Sequence, residues 1–536
     1  MFYLEEYTMA FIKVYTREAT GIPYPTALAQ SVHLSLGFNG EDFLPLNDNF
    51  GIVFPKAEIG ELNNILERGA LNPKIAKNEG RYYIYADFVD AGGNEVYPEL
   101  CCAWKTDNFI DFDEIGLIKK TERVDGSDVI EITDDLILDI INEYSPLHFV
   151  KAELTHKSVG SIEELKTVKA ICTYSDGSTD IKPIKWDLDN VSNEGSFELS
   201  GEILQPRFPN PCIRGFADPV IYKWDGKWHF LSTNDNTGDV GLFVCSADTV
   251  EELFSEDNYP KCILPFNEEK GHVQTFWAPE FHKIGDDLYI LFALGGKQWA
   301  PQCHYMKFKK GGTITDPDSW EEPIKFKKAD GTNLVRLQIT LDMTHFEARG
   351  RHYVAWSERS FHPADTGSMI FIGEIDPSNP GQLISEPVLL TRPLYGWENQ
   401  SGTVNNEGPY PLIVGDKIYL AYSGGSAGGY SYTVGYLIAD KDADLLDPKS
   451  WKKTMNPVLA THHLNDCEGP GHNSFYVGDD GKTMIAYHAE PIGYENRRCT
   501  HIHRVHFNAK GFPVVGMNAD RDLPEDKKAV KINVIL

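Results

Sequence analysis

No run of this sequence approaches the roughly eighteen apolar residues that a membrane-spanning helix needs, so no helical span is expected. The opening residues, MFYLEEYTMAFIKVYTRE, lack both a basic start and a continuous apolar core, and so show no secretory leader. No Cys-x-x-Cys pair occurs, which argues against a structural zinc site. The nine cysteines are odd in number and scattered, with Cys101 and Cys102 adjacent; they read as reduced thiols of a cytoplasmic protein rather than a disulfide framework. Basic residues are also short. Fifty Lys and Arg against 79 Asp and Glu leave a net charge of -29, which argues against a phosphate backbone as partner.

What is present is a chain of 536 residues, 41% hydrophobic and 24% charged, long enough for two or three folded domains. One pattern recurs through its C-terminal two-thirds. A small or acidic corner leads into an apolar strand, a tight Asp/Gly/Lys turn, and an aromatic-rich strand. The copies are ADPVIYKWDGKWHFLS from Ala217, APEFHKIGDDLYILFA from Ala278, LDMTHFEARGRHYVAWS from Leu341, EGPYPLIVGDKIYLAYS from Glu407 and GPGHNSFYVGDDGKTMIAYH from Gly469. Aligning Pro219, Pro279, Met343, Pro409 and Ser474 gives spacings of 60, 64, 66 and 65 residues. Each copy predicts a β-hairpin, and further strand-like runs follow it, such as VGLFVCS and YTVGYLIAD. A four-stranded sheet repeated five times predicts an all-β, five-bladed β-propeller over residues 205–536. A β-sandwich with coincidental hairpins is the bland alternative, and sandwiches do not show so long a period.

Residues 145–204 read differently, as short alternating strands around a Ser175-Asp176-Gly177 turn. They resemble the small bacterial immunoglobulin-like modules attached to surface and carbohydrate-active proteins. Residues 1–120 hold a stray blade-like β segment, LNPKIAKNEGRYYIYAD, in which Asn72 stands where Asp218 stands in ADPVIY. An amide cannot serve as a general base, so this copy is expected to be structural. Residues 121–144, with one short acidic helix, read as a linker.

In a propeller the innermost strands start at a central channel, so the five corners should converge. Read across, the corners are Asp218, Ala278, Asp342, Gly408 and Asn473; one residue earlier stand Ala217, Trp277, Leu341, Glu407 and His472. Three carboxylates thus face one cavity. Corner aspartates often merely cap turns, but three acids at equivalent positions of one repeat favour a site. Crowded like charges raise at least one pKa, and a protonated acid beside a carboxylate suits glycoside hydrolysis.

The segments FADPVIY, WAPEFH, ITLDMT, WENQSGTVNNEGPY and GPGHNSF followed by YHAE resemble, in order and spacing, glycoside hydrolase family 43, a family of inverting five-bladed propeller enzymes. The resemblance covers about 330 C-terminal residues. It implies Asp218 as general base, Glu407 as general acid and Asp342 as the acid that orients Glu407 and tunes its pKa. It implies Arg498 as a substrate-site arginine from the last blade, with Arg497 as the alternative. It also implies His472 at the channel beside a water cluster or a bound metal, commonly calcium, which would be structural; no cofactor is required. Sugar rings need flat apolar faces, so Trp277 is the expected platform, with Trp299 and Trp397 as looser candidates in loops. His501, His503 and His506 read as strand residues rather than a metal site.

LTRPLYGWENQSGTVNNEGPY and LIADKDADLLDPKSW are most similar to the arabinofuranosidase and exo-arabinanase branches. The expected reaction is therefore release of L-arabinofuranose from an arabinose-containing oligo- or polysaccharide, with no nucleic-acid or membrane partner. A β-xylosidase on the same scaffold and a catalytically silent carbohydrate-binding propeller stand as alternatives. A phosphorylase would need a basic cluster, and no Lys or Arg stands at the five corners.

Overall fold

The computed structural model describes residues 9–189, 194–336, 338–464, 467–492 and 497–536. Strands dominate, and no helix among the described residues is long and apolar enough to cross a membrane.

The repeats form five antiparallel sheets. The first runs through Phe216–Trp224, Lys227–Asn234, Leu242–Ala247 and Lys261–Leu264, and the second through Gln274–Ile284, Asp287–Gly295, Gln302–Lys307 and Ile324–Lys325. The third begins with Ile339–Ala348 and Arg351–Arg359, the fourth with Asn406–Val414 and Lys417–Gly424, and the fifth with Cys467–Val477 and Thr483–Pro491. The turns are the ones the sequence demands. Trp224 pairs with Lys227 across Asp225-Gly226, and both turn residues have positive φ (48° and 76°), the twist-matched two-residue hairpin.

The first strand of each sheet lies against the first strands of its neighbours, and that of the fifth lies against that of the first, so the sheets form the closed cycle of a β-propeller. The closure is also hydrogen-bonded: Ile213–Arg214, which precede the first sheet, pair with Cys499–Phe507 of the fifth. Apolar faces of the sheets meet in a shared core that includes Leu231, Phe281, Tyr436 and Ile485, where burial supplies most of the driving force.

The N-terminal region is more than a stray blade. Arg68–Asn78, Arg81–Asp90, Leu100–Thr106 and Asp113–Lys119 form the blade-like sheet. A second sheet, ordered Val129–Ile132, Ala10–Tyr15, His33–Gly37 and Phe43–Pro45, shares its core through Ile12, Val14, Leu34, Ile84 and Trp104. Residues 121–144, expected to be a linker, belong to this unit. Val129–Ile132 is an edge strand on Ala10–Tyr15, and helix Ile137–Tyr144 buries Ile137, Ile140 and Tyr144 at i, i+3 and i+7. The unit docks on the third and fourth sheets, where Tyr24, Leu28, Phe50 and Phe54 join Tyr353, Trp397 and Leu420 in one core.

The span 145–204 also differs from expectation. Its strands form two facing sheets, Phe149–Leu154 with Ala170–Tyr174 and Thr179–Lys182, and Ser158–Val159, Ser196–Ile203 and Ile184–Trp186. The second sheet is completed by the C-terminal strand Ala529–Ile535, which lies between Ser158–Val159 and Ser196–Ile203. The chain therefore returns to this unit after the last propeller sheet, so 205–536 is not propeller alone. A lone alternating strand outside the repeat carries no sequence signal of its partner. A buried ionic knot ties the unit to the fifth sheet: Arg504 donates to Asp522 at 2.6 Å and to Asp180 at 2.9 Å, and Lys182 lies 3.2 Å from both acids.

The returning strand yields a stability prediction. Ile532→Ala, at 3% exposure, should cost about 2–5 kcal/mol, whereas Ile535→Ala, at 57%, should stay within about 0.5 kcal/mol. Urea unfolding of the full chain measures both; equal effects would contradict the assignment of this strand to the core.

Candidate active site

Every copy of the hairpin carries the same local irregularity. The register shifts between Ala217 and Val220, Trp277 and Glu280, Leu341 and Thr344, Glu407 and Tyr410, and Gly471 and Ser474, and likewise between Leu71 and Lys74 in the N-terminal sheet. Within each bulge one residue adopts positive φ: Asp218 (51°), Ala278 (45°), Asp342 (56°), Gly408 (57°), His472 (45°) and Asn72 (51°). This corrects the fifth corner. His472, not Asn473, is the equivalent of Asp218, and Asn473 rather than Ser474 aligns with Pro219. The histidine therefore occupies the same structural position as the two corner aspartates.

A non-glycine residue at positive φ costs of order 1–3 kcal/mol and persists only where its surroundings fix it. Here neighbouring sheets do so by binding the corner N–H groups. Ala278 N donates to Thr233 Oγ1 (2.8 Å), Gly408 N to Asp342 Oδ2 (3.0 Å), His472 N to Ser423 Oγ (2.7 Å) and Asp218 N to His488 Nδ1 (3.2 Å). Gly408 is required twice over, because a Cβ there would lie 3.1 Å from the His472 ring. The hydroxyl fifteen residues downstream, on the second strand, holds the corner acid itself. Thr233 donates to Asp218 Oδ2 (2.5 Å) and Ser357 to Asp342 Oδ2 (3.1 Å). In the N-terminal copy Asn72 donates instead to Asp87 (3.0 Å) and is exposed.

The corners bring Asp218, Asp342 and Glu407 into mutual electrostatic range, but give each a different environment. Asp218 is 5% exposed, and burial alone would raise its pKa. Opposing that, His472 Nδ1 lies 3.3 Å and Arg498 Nη1 3.4 Å from Oδ1, and they hold the carboxyl well below its usual range. Burial pushes the His472 pKa down to about 4, so at neutral pH this ring is uncharged and Arg498 supplies the positive charge. His488 donates Nε2–H to the Ala427 carbonyl (3.1 Å) and stacks on Tyr432 at 5.2 Å.

Asp342 and Glu407 are pushed the other way. Burial, then Glu407 and Asp218, raise Asp342 well above the carboxylate range, although two donors on Oδ2 favour its ionised form. Burial raises Glu407 to about 7, against the Tyr432 hydroxyl, which donates to Oε1 at 3.0 Å. The two acids titrate as a pair, and the pair keeps a proton into the neutral range.

Of the other sequence candidates, Arg498 lies in the site. It bonds Asp235 through Nε (3.1 Å) and Nη2 (2.6 Å) while its Nη1 faces Asp218; Arg497 instead points to Asn236. Trp277 is half-buried one residue before a corner, and its indole lies beside Asp239, whose carboxyl burial raises to about 6. Trp299 is 48% exposed and tilts against Phe361 at 5.7 Å. Trp397 is not a platform. It is fully buried, with its indole N–H donating to the Met455 carbonyl at 2.9 Å, and its neighbour Glu398 anchors Lys453 at 2.5 Å. A loop tryptophan reads alike whether it faces solvent or core.

Tyr432, His488, Thr233, Asp235 and Asp239 were not singled out from sequence. A polar residue fifteen or sixteen positions after four of the five propeller corners was available as a signal for Thr233 and His488; Tyr432 reaches Glu407 only through loop geometry. For calcium, the described residues gather no group of three or more His, Cys, Asp or Glu able to hold a metal ion, so the side chains around His472 do not fit a protein cage for it. His501 and His503 pack on Tyr487 and show no metal geometry.

The sequence profile of Glycosyl hydrolases family 43 matches residues 208–513. An extracellular exo-α-(1→5)-L-arabinofuranosidase of Streptomyces avermitilis is 32% identical over 324 residues, 58% of this chain and 63% of that protein. One of the same name from Streptomyces chartreusis is 31% identical over 288 residues, 53% of this chain and 82% of that protein. The crystal structure of an α-L-arabinofuranosidase from Lactobacillus brevis superposes with a TM-score of 0.50 at 31% identity, covering 57% of this chain and 95% of that one. The chain thus spans under two-thirds of the length of the Streptomyces avermitilis relative. Both Streptomyces relatives are named extracellular, which overturns the cytoplasmic expectation; all nine cysteines are free thiols and eight are buried, so thiol chemistry does not tie the fold to a reducing compartment. The repeated corners, the three acids they gather and the match over residues 208–513 agree: the chain belongs to glycosyl hydrolases family 43.

Proposed function

We propose that this protein is an inverting glycosidase that releases L-arabinofuranose from the end of arabinan or arabino-oligosaccharides. The observation that carries the reading is the divergence of acidities in one buried site: Asp218 held ionised by Arg498, and Glu407 holding a proton near neutrality. The names of the relatives support the choice of sugar. On this reading the five sheets are the blades of a five-bladed propeller, and the small two-sheet unit is an immunoglobulin-like spacer.

Inverting hydrolysis needs a base on one face of the sugar and an acid at the leaving oxygen, with roughly 6.5–9.5 Å between them for a water. Asp218 takes the water's proton. It is a weak base, but the water grows acidic as its oxygen bonds to the anomeric carbon, so an ionised, fixed carboxylate suffices. Thr233 and Arg498 keep that carboxylate oriented. Glu407 protonates the leaving oxygen, its pKa raised by burial and by the Asp218 carboxylate, while Asp342, pinned by Ser357 and the Gly408 N–H, shares the buried acid pair with it. Trp277 and the exposed Trp299 offer apolar faces to sugar rings.

Two outcomes test this. Asp218→Asn should lower kcat/KM about 10²–10⁴-fold on nitrophenyl α-L-arabinofuranoside and on arabinobiose alike. Glu407→Gln should do so on arabinobiose and much less on the nitrophenyl substrate, whose leaving group needs little protonation. Full activity of both variants overturns the roles, cleavage of nitrophenyl β-D-xyloside alone moves the substrate to xylose, and proton NMR of the first-formed anomer checks inversion.

The pH profile follows from the same pKa shifts. With Glu407 raised to about 7, kcat/KM on arabinobiose should fall as pH rises through that value, while the low pKa of Asp218 puts the acid limb below the ordinary carboxylate range. Tyr432→Phe removes a donor that favours the Glu407 carboxylate, so the alkaline limb should move to higher pH; an unmoved limb contradicts Glu407 as the acid.

A further inference from the structure

The loop between Gly424 and Thr433 ties the site to a second cavity. Its Ala427 carbonyl accepts from His488, its Tyr432 donates to Glu407, and between them Tyr430 lines a pocket of about 200 Å³. The opposite wall comes from the N-terminal unit, through Arg17, Tyr24 and Phe50, and the floor from Thr461 and His462. None of the residues read from the sequence as catalytic or sugar-binding lies in it.

The chemistry of the walls is specific. The Arg17 guanidinium lies over the Tyr24 ring, 3.9 Å from its centroid, and donates to the Asn49 carbonyl at 2.9 Å, so it is held against an aromatic face. His462 stacks on Phe50 at 4.5 Å and 20°. Thr461 donates to the Tyr430 carbonyl (3.0 Å) and accepts from Gly469 N (2.9 Å), locking loop and pocket together. Two polar atoms of lining residues, Gln400 Oε1 and His462 Nε2, are buried without a hydrogen-bond partner among the described residues. Aromatic faces, a fixed guanidinium and unpaired acceptor and donor capacity match a ring bearing several hydroxyls. Asp48 in the same wall and Glu468 near Tyr430 offset the Arg17 charge, favouring a neutral ring over an anionic one. The volume, below the roughly 300–1,000 Å³ of sites for larger ligands, suits one ring.

We propose that this pocket binds one neutral sugar ring of the glycan on the leaving-group side of the bond to be cut, a subsite supplied by the N-terminal unit. The inference rests on the glycosidase reading above, and the side follows from Glu407: the general acid faces the leaving oxygen, and the loop that holds it also builds the pocket. The N-terminal unit thereby selects for substrate length.

Calorimetry on the full-length Glu407→Gln protein with arabinotriose should show Kd rising about tenfold when Arg17→Ala is added, and similarly with Tyr430→Ala on the facing wall. In the active enzyme, Arg17→Ala should lower the ratio of kcat/KM on arabinotriose to that on nitrophenyl arabinofuranoside about tenfold. Thermal melts of each variant separate lost binding from lost folding. An unchanged Kd and ratio in both variants, with melting retained, overturns the subsite, and tighter binding of an oligogalacturonide than of arabinotriose overturns the neutral ligand. If the wild type cleaves no arabinoside, the functional reading fails separately. Titration of wild type and Arg17→Ala with neutral arabino- and xylo-oligosaccharides then decides the pocket, and no oligosaccharide whose affinity depends on Arg17 overturns it.

Discussion

The bulged corner is the constraint on which the site depends. At six places the first strand of a hairpin admits an extra residue at positive φ, a conformation that L-residues with side chains adopt only when held. In the propeller, side chains and N–H groups of adjacent sheets hold it, so the strain at each corner is balanced by bonds between sheets. Asp342 shows the economy of the device, since one oxygen both accepts from Ser357 in its own sheet and receives the Gly408 N–H of the next. A residue that closes the ring is at the same time a residue of the site.

Electrostatics then differentiates what symmetry makes equivalent. Asp218 and Asp342 occupy the same corner position with nearly the same φ, and each accepts a hydroxyl fifteen residues downstream. They diverge because the fifth sheet and the connection within it bring His472, His488 and Arg498 to the first corner, while the third corner has Glu407 as neighbour. The two opposed acidities are therefore set by which sheet lies beside which, and the closing of the ring makes the fifth sheet a neighbour of the first.

The units outside the propeller are integrated with it rather than strung along it. The N-terminal unit shares a core with the third and fourth sheets and meets the loop that carries Tyr432. The small two-sheet unit takes its central strand from the C-terminus and is bound to the fifth sheet by the Arg504–Asp522–Asp180 knot. Removing one partner of such a buried ionic group leaves an uncompensated charge, so it fixes the junction even where its net contribution to stability is small.

The repeat, the hairpin turns and the three acids were legible in the sequence because each is local: alternation, Asp-Gly turns and a recurring corner need only neighbouring residues to be seen. The corner register of the fifth copy was not, since the bulge that puts His472 rather than Asn473 in place has no marker in GPGHNSF. The buried fate of Trp397, the pairing of Ala529–Ile535 with Ser196–Ile203, and the Tyr432 contact to Glu407 were decided only in three dimensions. Each joins residues distant in the chain through packing that no local pattern encodes. The acidities that separate Asp218 from Glu407 belong to the same class, because a carboxylate's pKa is set by burial and by the charges that face it, and both exist only once the ring is closed.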